Sequence, residues 1–261
     1  MIEKWKLALK EFLKKYEDDD EVVGAILYGD YLFDDYNDDS IIKIQFVIKD
    51  SCTYNKTGFT ESNSFIINYS FDTKSNLYNK LKKDYFNNKD TTSKILSYGK
   101  IIYDLDDSIK ELQQKALEYI DRSLNNISNE KKDLNNYQIW VISKELKKAL
   151  NENSLTFSIV YYKLLEKIYD CYCENFCLIK IPIFNVYKAF KSEKYRKENY
   201  IFNLPDEEFI KLFLNCYKDN SYDVMYKNIS KLTDYYYKRI GGFNIRLFEI
   251  EKEDMKEGIL L

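Results

Sequence analysis

Nearly all the strand signal in this sequence lies before residue 106. Beyond it, apolar residues recur at three- and four-residue steps, the spacing of helices. The opening segment is itself helical, with Ile2, Trp5, Leu9, Phe12, Leu13 and Tyr16 on one face and the acidic run Asp18–Glu21 ending it. Val22–Tyr28 is a short apolar run closed by Gly29, which predicts a buried strand. Ile41–Ile48 predicts a second, with Ile42, Ile44, Phe46 and Ile48 on one face and Ile41, Lys43, Gln45 and Val47 on the other. Cys52–Gly58 reads as a loop, Ser64–Phe71 as a third strand and Gly99–Asp104 as a fourth. Asp72 and Thr73 start a helix carrying Leu77 and Leu81, and Asp107 or Ser108 caps another carrying Ile109, Leu112 and Ala116. Helical spacing then covers Leu134–Leu150, Leu155–Leu178, Asn185–Lys194, Asp206–Tyr217 and Ser221–Ile240. A strand-like tail, Phe243–Ile250, follows Gly241-Gly242. The expectation is an α+β protein. Residues 1–106 form a small mixed twisted sheet with helices on one face, and residues 107–261 an all-helical bundle domain.

Composition narrows the chemistry. The chain has no histidine, which excludes Ser-His-Asp, Cys-His and His-ligated metal mechanisms. A formal net charge of −3 gives no basic surface for nucleic acid, which is not expected as a partner. No apolar run is long enough to span a membrane, and the charged N-terminal segment does not read as a signal peptide. Five cysteines, an odd number, suggest free thiols and a reducing cytoplasmic location.

The order of helix, strand ending in Leu27-Tyr28-Gly29-Asp30, acidic loop, Asp39-Ser40-Ile41-Ile42-Lys43-Ile44 and second strand resembles the nucleotidyltransferase fold of the polymerase-beta-like superfamily. Within it, the chain is similar to the aminoglycoside and lincosamide nucleotidyltransferases with a C-terminal helical domain. That signature is Gly-Ser, about ten residues, then Ser-Asp-x-Asp and an apolar strand end. Gly99-Lys100-Ile101-Ile102-Tyr103-Asp104, with the helix after it, resembles the family's Gly-x-x-Leu-Tyr-Asp segment.

The resemblance implies metal-dependent nucleotidyl transfer, in which carboxylates at i and i+2 on one strand, and a third on its neighbour, hold magnesium against a triphosphate. Here those positions hold Ile41, Lys43 and Asn68, so no catalytic and no metal-ligating residue is expected. An ammonium there repels the metal. Gly29, Asp30 and Ser40 take the ligand-gripping positions, but Asp30 opposes a phosphate. The reading is therefore a scaffold with an eroded site, non-catalytic and binding a small molecule or a protein partner, with a homodimer as one option. No cofactor is expected. One alternative is an active nucleotidyltransferase of small molecules such as an antibiotic, with magnesium held by Asp30, Asp34, Asp35, Asp38 or Asp39. A solvated acidic loop is the blander fate of that run. Another alternative is an antitoxin-like or regulatory interaction module. Lys43 reads as an ion-pair partner for the acidic loop ahead of a phosphate contact.

Two further groups carry weaker signals. Cys171, Cys173 and Cys177 are close in sequence, but with Cys216 as a distant fourth they read as buried thiols ahead of a zinc site. Tyr161, Tyr162, Tyr169 and Tyr172, with Tyr235, Tyr236 and Tyr237, read as core ahead of a ring-stacking surface. Lys238-Arg239 beside Gly241-Gly242 is a weak anion site, since a helix C-terminus is the wrong end of the dipole.

Overall fold

A computed structural model describes residues 3–32, 36–37, 39–120, 124–218 and 221–249. The chain forms two compact units that divide between residues 123 and 124.

The first unit runs α1 (Lys4–Leu13), β1 (Val22–Tyr28), a 3-10 turn (Asp30–Leu32), β2 (Ile42–Ile48), β3 (Lys56–Ser62), β4 (Phe65–Thr73), α2 (Lys74–Phe86), α3 (Thr91–Tyr98), β5 (Lys100–Asp104) and α4 (Ser108–Ile120). The five strands make one mixed sheet in the order β3-β4-β2-β1-β5. β2 and β4 are parallel, and the other three pairs are antiparallel.

Ile42, Ile44, Phe46 and Ile48 are all buried, as their alternation predicts. They pack with Trp5, Leu9 and Phe12 of α1. Phe46 and Phe71 stack with ring centroids 4.5 Å apart, and Phe12 and Tyr16 close over them. The opposite face carries a second core of Val23, Ile26 and Val47, covered by Leu77 and Leu81 of α2, Leu96 of α3, and Ile109, Leu112 and Ala116 of α4. Helices thus lie on both faces, not one. The reason is β1: Val22 to Leu27 is buried along its whole length, so both of its sides need cover. For the same reason α4 falls within the first unit, whereas the sequence reading placed it in the helical part.

Residues 56–62, part of which reads as loop, form β3. Lys-Thr-Gly-Phe-Thr-Glu-Ser is polar because the strand is a sheet edge with no continuous buried row. Thr73 caps α2, its side chain accepting from the Asn76 N–H at 3.1 Å. Asp104 does the equivalent for α4, accepting from the Ile109 and Lys110 N–H groups.

The second unit contains α5 (Asn129–Asn151), α6 (Phe157–Asn175), α7 (Ile183–Lys191), α8 (Glu193–Glu198), α9 (Glu207–Asn215) and α10 (Tyr222–Arg239). The tail is not a strand over its described residues. Ile245–Leu247 is a 3-10 turn, Phe243 stacks on Tyr237, and Phe248 stacks on Tyr137. Ile250 lies outside the described residues.

The core of this unit is built from phenols. Tyr161, Tyr169, Tyr172 and Tyr236 are buried, and each hydroxyl has a partner, since an unpaired buried O–H is costly. Asp206 ties three helices together. It caps α9 by accepting from the Phe209 N–H at 2.9 Å, accepts from the Tyr235 hydroxyl at 2.7 Å and from that of Tyr172, and lies 3.5 Å from the Arg239 guanidinium. Partial burial pushes its carboxyl up, but the two phenols, the N–H and Arg239 outweigh that and hold it below the usual range.

Asp206→Asn is expected to destabilise the protein by about 1–3 kcal/mol near pH 7, measured by urea unfolding. A depressed carboxyl stabilises above its unfolded pKa and stops doing so below its folded one. The gap between wild type and variant should therefore close as pH falls below ~4.

Candidate functional site

β1 ends at Tyr28 and turns at Gly29, whose φ of 86° lies in the left-handed region that glycine enters without strain. The close fit adds a second reason for glycine: a Cβ here would sit 3.2 Å from Cδ of Lys43. Asp30 follows in the 3-10 turn and is exposed. Ser40 does not project a free hydroxyl toward a ligand. Its Oγ accepts from the Asn37 N–H at 3.0 Å, and its carbonyl accepts from the Tyr31 hydroxyl. The Asp39 N–H is bonded to the Asn37 side chain. Asp34, Asp35 and Asp38 lie outside the described residues.

The register brings two of the three expected carboxylate positions side by side. Lys43 is opposite Asn68 across the parallel β2–β4 pair, opposite Tyr28 on β1, and Asn68 is opposite Phe59 on β3. Tyr28, Lys43, Asn68 and Phe59 therefore form one row across four strands. Ile41 stands just before β2 and is half-buried. Lys43 makes no ion pair among the described residues, so the expected pairing with the acidic loop is not seen there.

The next positions on the same face hold a network that the sequence reading missed. Gln45, which shares a face with Lys43, is only 5% exposed. Its Oε1 accepts from Ser70 Oγ at 2.8 Å, and its Nε2 donates to Asp72 Oδ2 at 3.1 Å. Asp72 is 2% exposed and also accepts from Asn76, while Lys80 Nζ lies 2.8 Å from both of its oxygens. The signal was present in the sequence: Asn68, Ser70 and Asp72 alternate in step with Lys43 and Gln45, so two polar rows share one face.

Chemically, the row offers an ammonium, an amide and an apolar side chain where magnesium needs carboxylate oxygens. The carboxylate in these rows, Asp72, is already neutralised by Lys80. These residues do not fit a magnesium ion.

The remaining candidates are structural. Cys171, Cys173 and Cys216 are buried, and burial pushes each thiol up to about 12. Cys177 donates to the Asn126 side chain. Among the described residues no three Cys, Asp or Glu side chains gather as a metal set. Tyr161, Tyr169, Tyr172 and Tyr236 are core, so they present no stacking surface; Tyr162 is instead 52% exposed, and Tyr235 and Tyr237 are half-buried. Arg239 faces a cavity of about 510 Å³ shared with Lys132, Asn136, Asn175 and Phe176, but its guanidinium is paired with Asp206 and lies over the Phe176 ring. No described helix is long and apolar enough to cross a membrane.

No family model matches this chain, and no curated protein does either. Among solved structures, the chain is similar to a nucleotidyltransferase-like protein from Exiguobacterium sibiricum 255-15. The identity is 10% and the TM-score 0.42, over 88% of this chain and 75% of that one.

If Lys80 is what neutralises Asp72, Lys80→Met should destabilise the protein by about 1–3 kcal/mol, less than a fully buried pair because the lysine is half exposed. Adding Asp72→Asn should recover much of that loss in the same denaturant titration, because no buried charge is then left unpaired.

Proposed function

We propose that this protein is a nucleotidyltransferase-type scaffold that has exchanged its metal site for an internal cation, and that it acts by binding and not by nucleotidyl transfer. The observation that carries this reading is the pairing of Lys43 with Asn68 beside the Tyr28-Gly29 turn. The β1–turn–β2 order with β4 parallel to β2 supports the nucleotidyltransferase type. On that alignment the three metal positions hold Ile41, Lys43 and Asn68.

Two ammonium groups stand on the face where the family would place divalent metal. Lys80 is bound to Asp72, and Lys43 is rooted against Gly29. A second cation close to Lys43 is repelled, at about 4 kcal/mol for like charges about 4 Å apart at an effective dielectric of ~20 before screening, and the Lys80–Asp72 pair leaves no free carboxylate to hold one. A triphosphate depends on metal for neutralisation, and the exposed Asp30 at the turn opposes it further. The ligand favoured by this face is therefore a neutral molecule or a partner protein, with no cofactor.

Calorimetry with ATP or GTP, with and without magnesium, tests the reading. The expected outcome is weak binding that magnesium does not strengthen, together with no nucleotide transfer to aminoglycosides or lincosamides. Micromolar magnesium-dependent affinity, or turnover abolished by Asp38→Asn or Asp39→Asn, would sink it and point to the acidic loop as the metal site.

A further inference from the structure

β3 is an edge of the sheet, paired with β4 on one side alone. The two strands are joined by Asn63 and Ser64, both at positive φ (47° and 66°), the pattern of a two-residue hairpin. In such a hairpin the closing pair, here Ser62 with Phe65, exchanges both main-chain bonds, and bonded pairs alternate from there. Ser62, Thr60, Gly58 and Lys56 therefore direct N–H and C=O toward β4. Thr57, Phe59 and Glu61 direct theirs away from the sheet, and among the described residues none of these three N–H groups has a hydrogen-bond acceptor.

Sheet edges are ordinarily blunted by proline, a bulge or a charge at the centre of the strand. The middle of this edge, Thr57-Gly58-Phe59-Thr60, has none of them, and its register with β4 runs without a shift. Instead it displays an aromatic ring: Phe59 is 66% exposed, and Ile66, its diagonal neighbour on the same face, is 50% exposed.

We propose that β3 docks against β3 of a second copy of this chain, antiparallel, about a twofold axis at Phe59. In that register Phe59 faces the partner's Phe59, and Thr57 faces the partner's Glu61 on both sides of the axis. The outward groups then form about six main-chain bonds. Charge sets the direction. A parallel, in-register pairing puts Lys56 beside Lys56 and Glu61 beside Glu61 on shared faces, whereas the antiparallel twofold sets Lys56 across from the partner's Ser62 and Glu61 across from the partner's Thr57. The ring that is exposed in one copy is covered by its twin in two. Because Phe59 shares a face with Lys43 and Asn68, the pairing joins that face of each copy to the same face of the other. This inference does not rest on the functional reading above.

Sedimentation equilibrium of the full chain from about 1 to about 100 µM tests it, a range that brackets micromolar self-association. The expected result is a rise from 31.4 kDa toward twice that mass. Thr57→Pro removes an outward N–H and leaves the bonds to β4 intact, so it should fold and stay monomeric. Phe59→Lys places two like charges at the axis and should weaken association by about tenfold or more. Hydrogen exchange should slow at Thr57, Phe59 and Glu61 as concentration rises, while Gly58 and Thr60 stay protected throughout. Circular dichroism of dilute variants confirms that they are folded. A chain that stays monomeric over the whole range overturns the proposal. So does a dimer unaffected by both variants, or exchange at the three amides that ignores concentration.

Discussion

β1 is apolar on both faces, and the first unit is organised around satisfying it. Val22 to Leu27 cannot be left wet on either side, so α1 closes one face and α2, α3 and α4 close the other. Its neighbour β2 is apolar on the α1 side, but on the other it changes from Lys43 through Gln45 to Val47. That gradient decides where the helices stop and where a polar surface begins. The candidate site is thus where the cover on this face ends, and the register of β2 fixes which side chains it contains.

Within those rows the charge is largely self-contained. Asp72 is buried beneath Lys80, and the amides of Gln45 and Asn76 satisfy the oxygen lone pairs that remain. A divalent metal fulfils the same electrostatic need by holding carboxylates close together at high charge density. A lysine supplies one positive charge on a flexible stem and needs no second carboxylate. Lys80 thus neutralises Asp72 from within the chain.

Much of this was legible in the sequence because burial imposes period. The β2 rows, the helix after Thr73 and the long helices of the second unit all follow from apolar spacing. β3 was not legible, since an edge strand buries too little to need an apolar row; α3 left no cue that was read. The cover on both faces was implicit in the unbroken apolar run of β1. At the site, the resemblance put Lys43 and Asn68 at the second and third carboxylate positions, and the parallel register sets them opposite each other. The network around Asp72 was missed because hydrogen bonds between strands far apart in sequence have no local spacing. The phenol partners in the second unit were hidden for the same reason: Tyr236 and Asn136 meet across a hundred residues.

The burial of Cys171, Cys173 and Cys216 has a consequence for how the molecule handles protons. There is no histidine, and these three thiols titrate far above neutrality. Burial and nearby acidic groups also raise Cys52. Histidine, the side chain whose ordinary range lies between pH 6 and 8, is absent, and burial moves the three buried thiols further from that interval. Proton uptake or release on binding there is supplied neither by an imidazole nor by the buried thiols, so buffer-dependent heats report on the other groups and on the ligand's own ionisation.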